Sequence, residues 1–287
     1  MPDSPELPGL PGLPEPGRWP ADRRITIHDL QAATDRGERW TMLTSYDTLT
    51  AGVFEEAGVR ALLVGDTSGQ LVLGYPDTVP VTMDHLIPMV QAVVRGTRTA
   101  LVVADLPFGS YQAGPEVALA SAVRHLKEGS AQAVKLEGGR RVLPQVSTLV
   151  GAGIPVMGHL GLTPQSVNVL GGVRRVQGRG DAGEELLADA LALERAGAFA
   201  VVLESVPTAL GGRVAEALRI PVVGIGAGPD CDAQILVWPD LAGLTAGRLP
   251  RFVRQYADVR GSLLDAARRY TEDVAAGRYP DEAHSYA

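Results

Sequence analysis

Lys135 and Glu137 stand two residues apart in AVKLEGG (133–139), an apolar run with the composition of a buried strand. Side chains alternate across a strand, so both point to one face, about 6.6 Å apart along the chain. Charge on such a face calls for a chemical reason. Of the 26 basic residues only Lys127 and Lys135 are lysines, so a chain that otherwise uses arginine keeps a lysine at this strand end. Its compact ammonium on a four-carbon stem suits an oxyanion or a carboxylate. A buried lysine paired with an acid for structure alone is the competing reading.

This run is one of seven apolar runs that end on polar residues: Asp47, Asp66, Asp105, Glu137, His159, Glu204 and Asp240. Asp47, Asp77 and Asp240 fit equally well as helix N-caps, a role for which glutamate is poorly suited. Asp66, Asp105 and Glu137 end three successive runs, and neighbouring strands lie about 4.8 Å apart. Three carboxylates in such an arc repel one another unless a cation sits among them. An all-oxygen set without cysteine suits Mg²⁺ better than zinc. Glu204 ends the sixth run, across an eight-stranded barrel from the second. A carboxylate facing a Lewis acid over the width of a small substrate can remove a proton next to a carbonyl. His159 lies between the two groups, either to bind a substrate carboxylate or carbonyl, or as a satisfied structural histidine.

The elements that must position these groups are legible from residue 40 onward. Short β-rich runs (WTMLTSYD, ALLVGD, TALVVAD, AVKLE, IPVMGH, FAVVLE, IPVVGIGAG and QILVWPD) alternate with helical periods over 48–57, 82–95, 115–128, 139–151, 183–196 and 207–217. Eight strands with crossing helices predict an α/β fold, a (β/α)₈ TIM barrel in a single domain, whose strand ends converge on one mouth. The link GPDCDA before the last strand has room only for a turn or short helix, and 251–277 predicts one or two amphipathic helices. Residues 1–22, dense in proline and glycine, predict a disordered extension, leaving 23–287 as the catalytic barrel with its C-terminal helices.

Composition narrows the partners. The chain has 287 residues, 45% of them hydrophobic and 21% charged, enough to bury a large core. A net charge of -7 with a pI near 5.3 argues against general nucleic-acid or anionic-membrane binding. No apolar stretch is long enough to span a bilayer. One cysteine, Cys231, permits no internal disulfide, and a cytoplasmic enzyme of small molecules is the expectation. The glycines of GIGAG (224–228) are compatible with a phosphate loop or with a tight turn alone, and no nucleotide motif accompanies them.

Eight ordered stretches together carry a family resemblance: LLVGDTSGQLVLGYPDTVPVTMDH, VVADLPFGSYQ, VKLEGG, GHLGLTPQSVN, VQGRG, LESVP, VGIGAG and GLTAG. Over about residues 25–285 the chain resembles the ketopantoate (3-methyl-2-oxobutanoate) hydroxymethyltransferases, barrels of the phosphoenolpyruvate/pyruvate superfamily. The resemblance implies transfer of a hydroxymethyl group from 5,10-methylenetetrahydrofolate to 3-methyl-2-oxobutanoate through a Mg²⁺-stabilised enolate, giving 2-dehydropantoate on the way to pantothenate and coenzyme A. It implies Asp66, Asp105 and Glu137 at Mg²⁺, Glu204 as proton acceptor, and Lys135 and the Thr67 hydroxyl at the substrate; Asp66, Asp105 and, from its strand position, His159 are further expected substrate contacts. A homodecamer is implied as well. Thr67 stands where serine is usual, Ser205 where cysteine is common, and GGVRRVQGR is one residue longer than the usual pattern. A Mg²⁺-dependent carbon–carbon lyase of the same superfamily is the alternative, but it needs a cysteine at the mouth, and Cys231 lies in another loop. An inactive barrel serving as a binding protein is the other alternative, and the complete set of charged residues argues against it.

Overall fold

The apolar runs become strands β1 Trp40–Thr44, β2 Ala61–Val64, β3 Leu101–Asp105, β4 Ala133–Glu137, β5 Val156–Gly161, β6 Ala200–Glu204, β7 Val222–Ile225 and β8 Ala233–Leu236 in a computed structural model that describes residues 19–172 and 176–286. Each pairs in parallel with the next, and β8 closes on β1. β2, β3, β4 and β7 are buried along their whole length, as expected where helices cover one side of a parallel sheet and packed side chains the other. Inside the barrel, Met42, Leu63, Val103, Met157, Val202 and Ile235 belong to one apolar cluster. Leu30 and Ala33, from the helix Ile27–Asp35 that precedes β1, join that cluster.

The expected helices form, and one that the pattern does not disclose, Ile27–Asp35, precedes them. Thr26 and Asp29 form a capping box on the first helix, and Thr82 caps Met83–Gly96. Pro115 opens Pro115–Lys127, a position where the missing N–H costs nothing. Asp47 resolves as an N-cap, accepting from the Leu49 and Thr50 amides at the start of Thr48–Glu56. Asp77 accepts from the Val79 amide. Asp240 sits inside the short helix Trp238–Leu241, because β8 stops at Leu236. Neither of the last two reaches the mouth as a strand end.

One C-terminal helix, Val259–Ala275, forms from the expected segment, and none of its residues is buried. Up to Arg18, the extension expected over 1–22 lies outside the described residues, as do 173–175 of the lengthened GGVRRVQGR segment. Within the described part, Trp19 is half-buried, donates to Glu38 Oε1 at 2.7 Å and lies under the Arg60 guanidinium. No helix among the described residues is long and apolar enough to cross a membrane.

Candidate active site

The parallel register carries the strand ends to one mouth. Asp105 is level with Lys135, Glu137 with His159, and Glu204 with Gly161 one step higher. Asp66, Thr67, Asp105, Lys135, Glu137, His159 and Glu204 all line one cavity of about 50 Å³. The residues singled out on type and spacing therefore do meet. Val202, Ile225, Ile235 and Val237 form an apolar wall of the same cavity. That wall was not anticipated, although period-two patterning on β6, β7 and β8 contained it.

Four carboxyl groups and two cationic side chains share this small space, and burial sets their chemistry. Lys135 Nζ lies 2.5 Å from Asp105 Oδ1. Burial opposes its charge, but Asp105, Glu137 and Asp66 outweigh burial and hold the ammonium above its ordinary value. His159 is placed between two carboxylates, Nδ1 at 3.5 Å from Glu137 Oε1 and Nε2 at 3.3 Å from Glu204 Oε2. Burial and Lys135 work against its protonation, yet the two glutamates raise it to about 9, so the ring is an imidazolium at neutral pH. Asp66 is pushed well up, first by burial and then by Asp105 and Glu137. Asp105 also rises by burial, against the opposing pull of Lys135.

With every group ionised, the carboxylates exceed the cations by two charges. A divalent ion would cancel that excess, and the donors are all oxygens. The geometry is more selective than the expected arc of three. Among the described residues no three His, Cys, Asp or Glu side chains are arranged to hold one ion. Glu137 Oε2 instead accepts from the Gln165 amide N–H at 3.0 Å, and Oε1 faces His159. Asp66 and Asp105 are directly adjacent, the Asp66 N–H donating to Asp105 Oδ2 at 3.0 Å. Mg²⁺ is commonly held by one or two carboxylates, with water and substrate completing its shell, and this pair fits that use.

Gln165 and Tyr111 are the site residues that the sequence reading passed over, although both lie in the motifs GHLGLTPQSVN and VVADLPFGSYQ. Gln165 Nε2 donates to Asp66 Oδ2 at 2.8 Å and to the Leu106 carbonyl at 3.0 Å. The Tyr111 hydroxyl donates to Gln165 Oε1 at 2.7 Å and lies 3.2 Å from the Glu137 N–H, which it accepts. Their signal was a polar side chain buried beside carboxylates, which only a structure displays. Behind the site, His125 Nε2 contacts the Asp105 carbonyl at 2.7 Å; a carbonyl only accepts, so this nitrogen carries the proton. Tyr46 OH and Thr67 Oγ1 are 2.8 Å apart, which orients the threonine hydroxyl on the cavity wall. Ser205, next to Glu204, has a left-handed backbone at φ +50°.

The likeness to known proteins agrees with this geometry. Residues 24–282 match the sequence pattern of the family described as ketopantoate hydroxymethyltransferase. A protein of Frankia alni named 3-methyl-2-oxobutanoate hydroxymethyltransferase is 64% identical over 273 residues, covering 95% of this chain and 90% of the relative. One of the same name from Thermobifida fusca is 62% identical, covering 93% and 95%. Among solved structures, a phosphonopyruvate hydrolase complexed with oxalate and Mg++ superposes with a TM-score of 0.60 at 15% identity, covering 92% of each chain. A 2,3-dimethylmalate lyase of the PEP mutase/isocitrate lyase superfamily gives 0.59 at 18%, covering 90% of this chain and 91% of the other. These two show the shared barrel fold. The chain belongs to the ketopantoate hydroxymethyltransferase family.

Proposed function

We propose that this family member transfers a hydroxymethyl group from 5,10-methylenetetrahydrofolate to C3 of 3-methyl-2-oxobutanoate, giving 2-dehydropantoate on the route to pantothenate. The observation that carries the reading is a base and a charge-stabilising group facing one another across a small, half-apolar cavity. Glu204 lies on one side, the Asp66–Asp105 pair with Lys135 on the other, and Val202, Ile225, Ile235 and Val237 supply an apolar wall. The wall suits the isopropyl group of the oxo acid. Lys135 faces the negative end of the substrate, and Thr67, oriented by Tyr46, offers a hydroxyl.

Glu204 takes the proton from C3, and the electron pair left behind delocalises onto the 2-oxo oxygen. The imidazolium of His159, 3.3 Å from Glu204 Oε2, orients the base. One water adds to the donor's methylene carbon, whose two C–N bonds break with protonation of both nitrogens, so that tetrahydrofolate leaves and a formaldehyde-level carbon remains. C3 attacks that carbon, and the electron pair displaced onto its oxygen takes a proton to become the product hydroxyl. Asp66 and Asp105 would hold Mg²⁺, with Glu137 beside them, and the ion would polarise the 2-oxo group and stabilise negative charge on its oxygen.

The lyase alternative lacks its cysteine. Cys231 is buried outside the cavity, and burial, with Asp232 and Asp230, pushes its thiol up to about 11. A buried, unpaired cysteine supports work in a reducing compartment such as the cytoplasm. Association into a larger assembly, a decamer by family likeness, is supported by the helix Val259–Ala275, which exposes Leu263, Leu264, Tyr270 and Val274.

The test isolates the first step. In heavy water with Mg²⁺ and no folate, the enzyme should exchange the C3 hydrogen of 3-methyl-2-oxobutanoate. Glu204→Gln should slow that exchange by about 10² to 10⁴ while leaving oxo-acid binding within a few-fold, since a positioned base contributes about that much. Wild-type exchange in the variant would assign the proton to another group.

A further inference from the structure

We infer that the cleft beside the catalytic cavity binds the one-carbon donor, with a flat heteroaromatic ring stacked on Phe108 and an anionic tail directed to Arg141. This rests on the folate reading above and adds where, and by what contacts, the donor is held. The catalytic cavity, about 50 Å³, is too small for both reactants, whereas the adjoining cleft measures about 400 Å³, within the range of ligand sites. Glu137 lines both spaces. Gln165 also lines the cleft and ties it to the cavity: its Nε2 reaches Asp66 on the cavity wall, and its Oε1 accepts from Tyr111 and from Gln112 Nε2. A donor seated in the cleft thus adjoins the cavity that takes the oxo acid, with Glu137 on the wall of both.

The cleft wall has the chemistry of a ring site. Phe108, in the loop between β3 and the helix Pro115–Lys127, lines the cleft with its ring 45% exposed, a flat apolar face on which a heteroaromatic ring can stack. Gln145 lines the cleft and is 6% exposed; its Nε2 donates to the Tyr111 carbonyl, and its Oε1 is buried with no donor. A buried acceptor left unpaired costs free energy, which a ligand N–H recovers once the Gln145 side chain turns its Oε1 toward the cleft; the amino and ring N–H groups of a reduced pterin are such donors. At the rim, Arg141 Nη2 touches Ser166 Oγ at 3.2 Å, and among the described residues no carboxylate pairs with Arg141. The neighbouring Arg140 is already engaged by Asp189 at 2.5 Å. Arg141 therefore has capacity for a carboxylate such as that of a glutamate tail.

Steady-state kinetics on the full chain, with sedimentation velocity as a control, test the assignment. Phe108→Ala should raise the KM for 5,10-methylenetetrahydrofolate about 10- to 100-fold, the range that one aromatic stacking contact spans, while the KM for the oxo acid moves less than threefold. Phe108→Tyr keeps a flat ring and should restore the donor KM to within threefold of wild type, so the assignment does not depend on how well the alanine variant folds. Arg141→Ala should weaken the folate donor about tenfold and leave a tail-less methylenetetrahydropterin donor unchanged. An unmoved donor KM in both Phe108→Ala and Arg141→Ala overturns the cleft assignment and leaves hydroxymethyl transfer standing. Altered subunit assembly in Phe108→Ala overturns it too, because the exposed ring would then be a subunit contact. Wild-type turnover with free formaldehyde but none with the folate donor defeats the folate reading itself.

Discussion

Carboxylates at opposite ends of the barrel, Glu55 at one and the cluster around Asp66 at the other, meet burial in opposite ways. Below β3, Glu55 accepts from the Arg98, Thr99 and Ala100 amides and from the Thr99 hydroxyl. Burial alone would raise its carboxyl, but those donors win and hold it below the ordinary range. Arg24 closes the same corner, donating to the Val94, Thr97 and Ala100 carbonyls. At the mouth, Asp66 has Gln165 as its side-chain donor and two carboxylates as neighbours, and it rises. A carboxylate supplied with enough donors serves the fold; one deprived of them is poised for a ligand, at some cost to stability.

The largest expected effect comes from removing charge where it is in excess. Asp66→Asn should lower turnover at least about a hundredfold, since loss even of residues that only support a metal's ligands costs about 10- to 100-fold. It should nonetheless raise the stability of the metal-free protein, by about 1 kcal/mol, because the substitution relieves repulsion from Asp105 and Glu137. Denaturant melts in EDTA, paired with Mg²⁺ titration of activity, measure both. A less stable variant that keeps its turnover would remove the contrast between the two ends.

At the satisfied end the sign reverses. Glu55→Ala strips several donors of one shared acceptor, and hydrogen bonds to a charged group are worth about 1.5 to 3 kcal/mol. The variant should lose about 2 to 3 kcal/mol in urea unfolding with no change in kcat, and Glu55→Gln should recover part of that loss. A fall in kcat without a fall in stability would mean that the corner is coupled to the mouth.

The same contrast explains what the sequence discloses. Strand order, helix positions and the convergence of Asp66, Asp105, Lys135, Glu137, His159 and Glu204 follow from patterning, because a parallel barrel places every strand's C-terminal end at one mouth. How the charges partner does not follow. That Lys135 pairs with Asp105, and that Glu137 turns to His159 and to the Gln165 backbone amide, depends on side-chain directions and on a residue of the short 3-10 helix Pro164–Ser166, 28 positions from Glu137. Asp47 and Asp240 look alike as polar residues after apolar runs. Only the backbone tells that the first caps a helix and the second lies within one.

His125 provides the finest probe of the mouth's supporting layer. Its ring is fully buried and donates from Nε2 to the Asp105 carbonyl, while Nδ1 has no partner. Burial opposes protonation more than that contact favours it, and the group falls to about 4, against about 6.5 for an unfolded histidine. A depressed value means that its contribution to stability is whole above pH 6.5 and is lost as pH falls toward 4, because there the unfolded chain binds a proton that the folded ring refuses. The slope from this one group is about 1.4 kcal/mol per pH unit over that window. His125→Gln keeps a donor for the Asp105 carbonyl and removes the titration. Between pH 6.5 and 5 its stability should therefore fall less steeply than that of the wild type by about that amount, while activity at pH 8 changes little. Parallel stability curves for the two proteins in urea would show that His125 is not held neutral, and that the layer beneath Asp105 is more open to water than its burial indicates.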